Sequence, residues 1–507
     1  MTTIRSICSL LVWTLAGCQP TDLNRAHCSL REGDATCAEL HDNLPFCNAG
    51  CGDTPFGDGC VAEVPSPEEC YSPCGQGLTA EQLDQCPASA SGTAESTTAS
   101  STTSDTAATV ADDTGSTSTA ACAGDAECES PTPLCREGQC VPCSLAEDPD
   151  SACAERFEAR PLCVEGRCVQ CTAEDMSACV ETTPVCDDGS GECVGCSQHE
   201  QCPASACNLQ VGSCLPEDRV WWVDADALGC LTGDGSEAAP YCTLAAARAN
   251  IGAGEQGTIV LRSRMGGLAY PENLTINAGR VVALRAASGP APRIGGTGVG
   301  APVTVSGGGI GYVEGIRVDG SVGSVAVQVV GAVLDLRRAT VVLNPGGAIG
   351  LSNGAELTAD NTVLGANGSA LVDAQALRVT DSSFALRYVT VAGNDSSGIA
   401  SISCTGSSGG TLRNSIVAGL DPGSIACPGL EVQTSAVDTM LEGQGVVVLG
   451  PFDPGWFQAP GAGDFHVTPG HPFVDVARWE LGDPPVDLDG DLRPERPGTP
   501  DVAGADL

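Results

Sequence analysis

The sequence predicts an all-β architecture: a right-handed parallel β-helix with three strand faces per coil, preceded by small disulfide-rich repeat modules. Three observations carry that prediction. Beyond Gly257, short Val, Ile and Leu strands alternate with Gly, Asn and Asp turns, and stacking them yields columns that share one set of spacings. Of the 30 cysteines, all but Cys404 and Cys427 precede residue 243, and many recur in groups of four. Aromatic residues make up 4% of the chain and Gly numbers 64, which suits thin, repeated β-structure better than a thick globular core.

At 507 residues the chain exceeds one core, and roughly two to four structural units are expected. Its 64 acidic residues face 23 basic ones, all of them Arg, for a net charge of -41. Such a field repels phosphate backbones and anionic headgroups, so no nucleic-acid partner is expected, whereas divalent cations are compatible.

The N-terminus sets the compartment. Arg5 supplies a positive n-region, Ile7 to Leu15 a short apolar run and Leu15-Ala16-Gly17-Cys18 a small-residue cleavage site, so residues 1–17 read as a signal peptide. The apolar run is too short to span a bilayer. Leu-Ala-Gly-Cys resembles a bacterial lipobox, which implies that cleavage leaves Cys18 as a new N-terminus carrying a diacylglyceryl thioether and an acylated amine. Gln19 rather than Asp follows, and in Gram-negative lipoproteins that resemblance implies an outer-membrane lipid partner. The alternative is an ordinary secretory signal that happens to contain Cys18. Either way the cysteines form a disulfide framework rather than a set of thiols. With Cys8 removed and Cys18 lipidated, 28 remain, an even number.

Residues 18–86 form the lipid-anchored segment and hold Cys28, Cys37, Cys47, Cys51, Cys60, Cys70, Cys74 and Cys86 among Pro, Gly and Asp. Residues 87–121 are a linker: 17 of the 30 residues from Ser91 to Ala120 are Ser or Thr, too few apolar groups to offset ordering entropy. Glycosylated and bare forms of it both remain open. Residues 122–214 repeat a four-cysteine unit over Cys122–Cys140, Cys143–Cys168, Cys171–Cys193 and Cys196–Cys214. The shared core reads Pro133-Leu-Cys-Arg-Glu-Gly-Gln-Cys140-Val-Pro-Cys143 and Pro161-Leu-Cys-Val-Glu-Gly-Arg-Cys168-Val-Gln-Cys171. A Cys-x-x-Cys at each junction admits zinc or redox chemistry, but export favours structural disulfides, two per unit at ~2–4 kcal/mol each, in a connectivity left open. The segment resembles the short Cys-rich repeats of bacterial surface lipoproteins, which implies a spacer or interaction module.

The region 219–507 is the β-helix with an Asp-rich C-terminal cap. Val220 to Asp226 reads as a strand, and Thr243 N-caps a helix running to Ile251 that covers the first coil. Cys230 and Cys242 flank the Gly-rich turn between them and pair. One column holds Val318, Val341, Val363, Val391 and Val417; a second holds Val313, Leu336, Thr358, Leu386 and Leu412, at the same spacings of 23, 22, 28 and 26. A third, Ile349, Leu371, Ile399 and Ile425, continues them. Asn344, Asn367 and Asn394 follow the first column at a turn, where Asn tolerates left-handed geometry and its amide bonds to the same amide one coil away. Cys404 and Cys427 lie 23 residues apart and are expected to staple two coils. By the third column Cys427 falls over Ser401, so the bridge needs the chain to bend through Gly406 to Gly410.

The ends carry a family resemblance. Val223-Asp-Ala-Asp…Gly233-Asp-Gly…Pro240-Tyr-Cys-Thr-Leu resembles the opening of bacterial right-handed, pectin-lyase-like β-helix domains. Gly463-Asp-Phe-His-Val-Thr-Pro-Gly470 and Asp487-Leu-Asp-Gly-Asp-Leu-Arg-Pro494 are similar to the terminal signature of choice-of-anchor Q surface proteins. No sorting tail follows Leu507, so the N-terminal lipid is the expected tether.

Many proteins that the fold resembles are polysaccharide lyases, which use a Lys, Arg, His or Tyr base beside a cation, or hydrolases, which use clustered Asp. From Arg219 to Phe465 there is no Lys and no His. Asp319, Asp335, Asp360, Asp373 and Asp381 occupy different places in their coils. The position after the second column holds Glu314, Arg337, Ala359, Arg387 and Arg413, so Arg387 and Arg413 are expected on neighbouring coils, where paired guanidiniums either grip an acidic glycan or form a solvated face. Asp487, Asp489 and Asp491 alternate around Gly490 as oxygen ligands for Ca²⁺, the one cofactor the sequence suggests, with Arg493 nearby able to pair Asp501 or Asp506 instead. The leading expectation is a non-catalytic envelope protein presenting the β-helix for adhesion or glycan recognition, with surface proteins or glycans as partners. The alternative is a lyase or hydrolase of an acidic polysaccharide. A groove with convergent carboxylates, or a carboxylate beside Arg, favours the enzyme.

Overall fold

The computed structural model describes residues 133–506 except 181, 296–299, 370–373, 396–397 and 421–422, together with Cys122, Cys128 and the dipeptides 46–47 and 60–61. The expected signal peptide, Cys18 with its expected lipid, the Ser/Thr-rich linker and the other cysteines of the first segment lie outside the described residues; Phe46–Cys47 pairs antiparallel with Cys60–Val61.

Short strands separated by residues with positive φ fold 219–448 into a parallel β-helix. Face A runs from Val220–Val223 through Gln256–Leu261, Val281–Ala286, Ile310–Glu314 and Val333–Arg337 to Gly409–Arg413 and Leu430–Gln433. Face B runs from Ala269–Tyr270 through Arg317–Asp319 and Thr340–Val342 to Ala436–Val437. Faces A and B join where the strands Glu356–Gly365 and Ser383–Ala392 continue through the corner between them. Face C is a separate seven-stranded parallel sheet from Leu274–Ile276 to Ile425–Ala426. Every neighbouring pair within these faces is parallel, and the inward side chains form one apolar core that includes Leu284, Val313, Leu336, Val341, Val329 and Val379.

The observed register corrects the expected columns. Val341 pairs with Leu364, not Val363, and Leu364 with Val391. Leu336 pairs with Ala359, not Thr358. On face C, Ile349 pairs with Leu377 and then Ile402, not with Leu371 and Ile399, of which Leu371 lies outside the described residues. The reason is that face B is apolar on both sides: Val363 points outward into a second core with Phe465 and Val476, while Leu364 points inward. Hydrophobicity alone cannot choose between two adjacent apolar residues, and a one-residue slip exchanges the faces.

The asparagine turn stacks as expected. Asn344 Nδ2 donates to Asn367 Oδ1 at 3.0 Å, and Asn367 Nδ2 to Asn394 Oδ1 at 3.1 Å, all three buried. The left-handed residues, however, are those just before the asparagines: Leu343, Ala366 and Gly393. Continuing the register Ile402 to Ile425 and Ser403 to Ala426 sets Cys404 directly beside Cys427, and the two are bonded with Cα atoms 4.6 Å apart. No bend through Gly406 to Gly410 is needed, because the third column had been placed three residues early. Cys404 continues the inward column of Val329, Leu351 and Val379, so the staple lies against the core.

Helix Leu244–Ala249 covers the first coil, with Leu244, Ala247 and Ile251 buried. Thr243 Oγ1 accepts from the Ala246 N–H, and the Glu272 carboxylate accepts from Leu244 and Ala245, so three otherwise orphan donors are satisfied. The preceding strand stops at Val223, and Cys230 is bonded to Cys242.

In each four-cysteine unit the first cysteine pairs with the third and the second with the fourth, as in Cys143–Cys163 with Cys153–Cys168 and Cys196–Cys207 with Cys202–Cys214. All sixteen are oxidised, which answers the zinc and redox alternatives and marks an exported chain. Each unit is a hairpin whose turn glycine has positive φ, and the first cysteine's N–H donates to that glycine's carbonyl: Cys122 to Gly138, Cys143 to Gly166, Cys171 to Gly191, Cys196 to Gly212.

The fourth unit is docked on face A. Tyr312, fully buried, donates its hydroxyl to Asn208 Oδ1 at 2.7 Å and meets the His199 ring edge-on. Residues 450–506 lie along face B, burying Phe457, Phe465, Phe473 and Trp479 over Val342, Val363 and Ile416. Each such ring is worth about 1.5–3 kcal/mol of burial. A Cβ on Gly365 would fall 2.2 Å from Phe465, so this strand position admits only glycine beneath the ring.

Two tests follow from this packing. Replacing both Cys404 and Cys427 by Ala should lower the stability of the late coils by about 3 kcal/mol, the chain-entropy value for a loop of this length, read as a lower urea midpoint. Free thiols at both positions in non-reducing peptide maps would remove the expectation. His199 gives a second. Burial first, then the Arg285 and Arg337 charges, depress its pKa to about 3 from an ordinary 6.5. The undocked state therefore binds the proton first. The docked unit keeps its full stability above pH 6.5 and loses it as pH falls towards 3, by at most about 1.4 kcal/mol per pH unit. Protection factors of residues 196–215, corrected for the intrinsic exchange rate at each pH, should fall on acidification in wild type and less in His199→Gln; equal protection in both would exclude His199 as the cause.

Candidate functional site

One outward-facing ladder on face A carries most of the charge. Strand pairing stacks Arg285, Glu314, Arg337, Asp360, Arg387 and Arg413 on successive coils. Asp360, not Ala359, occupies the fourth position, a consequence of the corrected register. Opposite charges meet across it. Arg285 Nε lies 3.1 Å from Glu314, Arg338 Nη2 lies 2.7 Å from the other Glu314 oxygen, and Arg387 holds Asp360 through Nε and Nη2 at 2.7 and 2.6 Å. Arg337 Nε donates to Asp335 at 2.8 Å. Burial, countered by Arg337 and reinforced by the Asp360 charge, pushes Asp335 up to about 6.

Arg387 and Arg413 are on neighbouring coils, as expected, yet their guanidiniums are engaged within the protein. Arg387 also donates to the Gly482 carbonyl at 2.9 Å, and Arg413 grips the fully buried Asp483 side chain. Asp483 thus takes the place expected of a glycan carboxylate. Burial and then the adjacent Arg387 charge lower the Arg413 pKa.

The Asp-rich turn also departs from expectation. Asp487 is buried, and its Oδ1 accepts from the N–H groups of Asp489, Gly490 and Asp491, each at 2.9 Å. It organises the turn, while Asp491 is exposed and Asp489 meets His466 Nε2 at 2.9 Å. The three carboxylates do not converge as a Ca²⁺ loop. Arg493 pairs with Asp501 at 3.1 Å, one of the two partners anticipated, and stacks 3.8 Å over the Tyr388 ring.

Between the docked fourth unit and the C-terminal segment the ladder is left open as a groove. A cavity of about 590 Å³ is lined by Arg285, Glu314, Arg317, Arg338, Asp464, His466 and Asp489. A second of about 380 Å³ shares Glu314 and Arg338 and reaches Asp360 and Arg387. Arg285, Arg317 and Arg338 each spend only part of their five N–H donors on protein acceptors. His466 was missed in the sequence because the search for bases ended at Phe465. The quoted Gly463-Asp-Phe-His motif was the available signal, and the chain folds it back onto the groove.

Residues 107–220, the four-cysteine repeats, match a family described as one of unknown function, DUF8331. No curated protein matches the chain. Among solved structures it is similar to the pectate lyase Pel9A, at 11% identity and a TM-score of 0.30, covering 57% of this chain and 96% of that one. It is also similar to a rhamnogalacturonan lyase, at 12% identity and a TM-score of 0.25, over 43% of this chain and 68% of that one. At these scores the likenesses carry nothing about activity.

Proposed function

We propose that this exported protein is held at the cell envelope by lipid on Cys18 and uses the groove on its β-helix to recognise an acidic polysaccharide without cleaving it. The observation that carries this reading is that Arg285, Arg317 and Arg338, from three successive coils, line the 590 Å³ cavity, each with N–H groups left over. Planar guanidiniums suit the paired oxygens of uronate carboxylates. What supports recognition over cleavage is that the carboxylates of the ladder are tied to arginines, and both ring nitrogens of His466 face carboxylates. A second reading, polysaccharide cleavage, is favoured by one observation: the groove sets carboxylates beside Arg and brings His466 within it. Free lyases of acidic polymers need a base and a charge-neutralising group in such proximity.

A glycan array followed by product analysis separates the two. Acidic glycans should bind and neutral ones should not, with Arg317→Ala/Arg338→Ala weakening binding at least tenfold and bound polymers keeping their length. New chain ends would establish the second reading, and equal binding of neutral glycans would remove both. For the anchor, Cys18→Ala should move the protein from the detergent to the aqueous phase of Triton X-114; unchanged recovery in detergent would sink it.

A further inference from the structure

The C-terminal segment carries a second constellation that the Ca²⁺ expectation touched at only one residue. His466 lies on the strand Asp464–Val467, Asp489 on the turn that Asp487 organises, and Asp506 at the end of the described chain. One ligand atom from each lies within 4.8 Å of the others. Asp506 is only 7% exposed, and its Oδ2 accepts from the Val467 N–H at 2.8 Å, which fixes the carboxylate beside the imidazole. Asp464 Oδ1 sits 2.5 Å from His466 Nδ1 and also accepts from the His466 N–H. Asp464 thus holds the Nδ1 edge of the ring, and Nε2 is the nitrogen that faces Asp489 and Asp506, free to exchange its proton for a metal ion.

From this geometry we infer that His466, Asp489 and Asp506 bind a divalent transition-metal ion of the Zn²⁺ type, with Asp464 orienting the imidazole from behind. Several independent features point the same way. One imidazole and two carboxylates suit Zn²⁺ better than Ca²⁺, which takes six to eight oxygens. A carboxylate on the far ring nitrogen is the usual support of a metal-bound histidine. Three carboxylates gathered on one imidazole are mutually repulsive without a further cation. Bonds of about 2.0 Å in a tetrahedral site put ligand atoms about 3.3 Å apart, closer than the present spread. The exposed Asp489 side chain can move that far on its turn. His466 and Asp489 line the 590 Å³ cavity, so the ion keeps an open coordination position reachable from the groove. The inference stands whether or not the groove takes a glycan.

The test uses the untagged, exported chain with its disulfides intact, stripped with chelator and titrated calorimetrically with Zn²⁺, with Co²⁺ as a spectroscopic probe. One equivalent should bind, and Co²⁺ should give a visible absorption band that Zn²⁺ abolishes. His466→Ala should lose that equivalent and Asp489→Asn should weaken it at least tenfold, whereas Asp491→Asn should bind as wild type does. Asp489→Asn alters an exposed side chain, so circular dichroism identical to wild type separates lost binding from lost folding. The inference is overturned by the absence of a saturable equivalent in wild type. It is equally overturned by unchanged binding in the His466 and Asp489 variants, or by Ca²⁺ displacing Zn²⁺ at equal concentration.

Discussion

The corner between faces A and B is the constraint on which the rest depends. At that corner the chain turns through a residue with positive φ on six successive coils: Gly315, Arg338, Asn361, Tyr388, Asn414 and Thr434. Only the first is glycine. Left-handed geometry at a bulky residue costs of order 1–2 kcal/mol, so something must offset it at Arg338 and Tyr388. What offsets it lies mostly outside the helix. Arg338 bonds Glu314 and Glu200, Asn361 donates to the Val486 carbonyl, Tyr388 lies under Arg493, and Asn414 donates to the Arg478 carbonyl. The bend that closes each coil also aims a polar or aromatic side chain at whatever covers the flank.

Two attachments therefore share one row of anchors. The fourth cysteine unit uses the early coils, through Tyr312, Arg285 and Arg337, whose guanidiniums donate to the Ser205 and Ser197 carbonyls. The C-terminal segment uses the later ones, through Arg387 and Arg413. Arg493 shows how strict this docking is. It is fully buried, bonded to Asp501, Asn361 and the Gly504 carbonyl, and stacked on Tyr388. Burying an ion pair sacrifices hydration that the pair's attraction only partly returns, so its contribution is to orientation more than to net stability. An apolar patch alone would allow the segment to slide; a planar fork with fixed partners does not.

The strength of the sequence evidence followed the range of the interaction. Repeats whose partners recur one coil away were legible: the asparagine stack, the pairing of Cys404 with Cys427 and the adjacency of Arg387 and Arg413 all depend on a period that the chain displays. The phase within a coil was less so. At Thr358-Ala359 and Val363-Leu364 adjacent residues compete for the inward place, and the outer face is covered by Phe465 from a segment a hundred residues on, so local hydrophobicity misleads. What the arginines hold was not legible at all. Asp483 lies 70 residues from Arg413 and meets it only because the C-terminal segment returns along the flank. His466 was concealed in the same way, by a boundary drawn at Phe465, inside the strand Asp464–Val467 that folds back onto the groove.

The groove left between the attachments is balanced in charge where the whole molecule is strongly acidic: Arg285, Arg317 and Arg338 stand among Glu314, Asp464 and Asp489. A net charge of -41 opposes the approach of any polyanion, yet the groove presents arginines. The two act over different ranges. In about 0.1 M salt the diffuse field is screened beyond about 10 Å, whereas charge-assisted hydrogen bonds inside a partly enclosed groove are screened far less. For the proposed polyanion ligand, acidic residues elsewhere then weigh mainly on the rate of encounter, and the arginines on the lifetime of the contact. On the proposed reading, polyanions that touch the surface loosely are rejected and those whose carboxylates match the spacing of neighbouring coils are retained. That spacing, about 4.8 Å, is set by backbone hydrogen bonding between coils and not by side chains. The β-helix thus supplies a ruler as well as a scaffold, and the residues at and just beside the corner decide which charges are mounted on it.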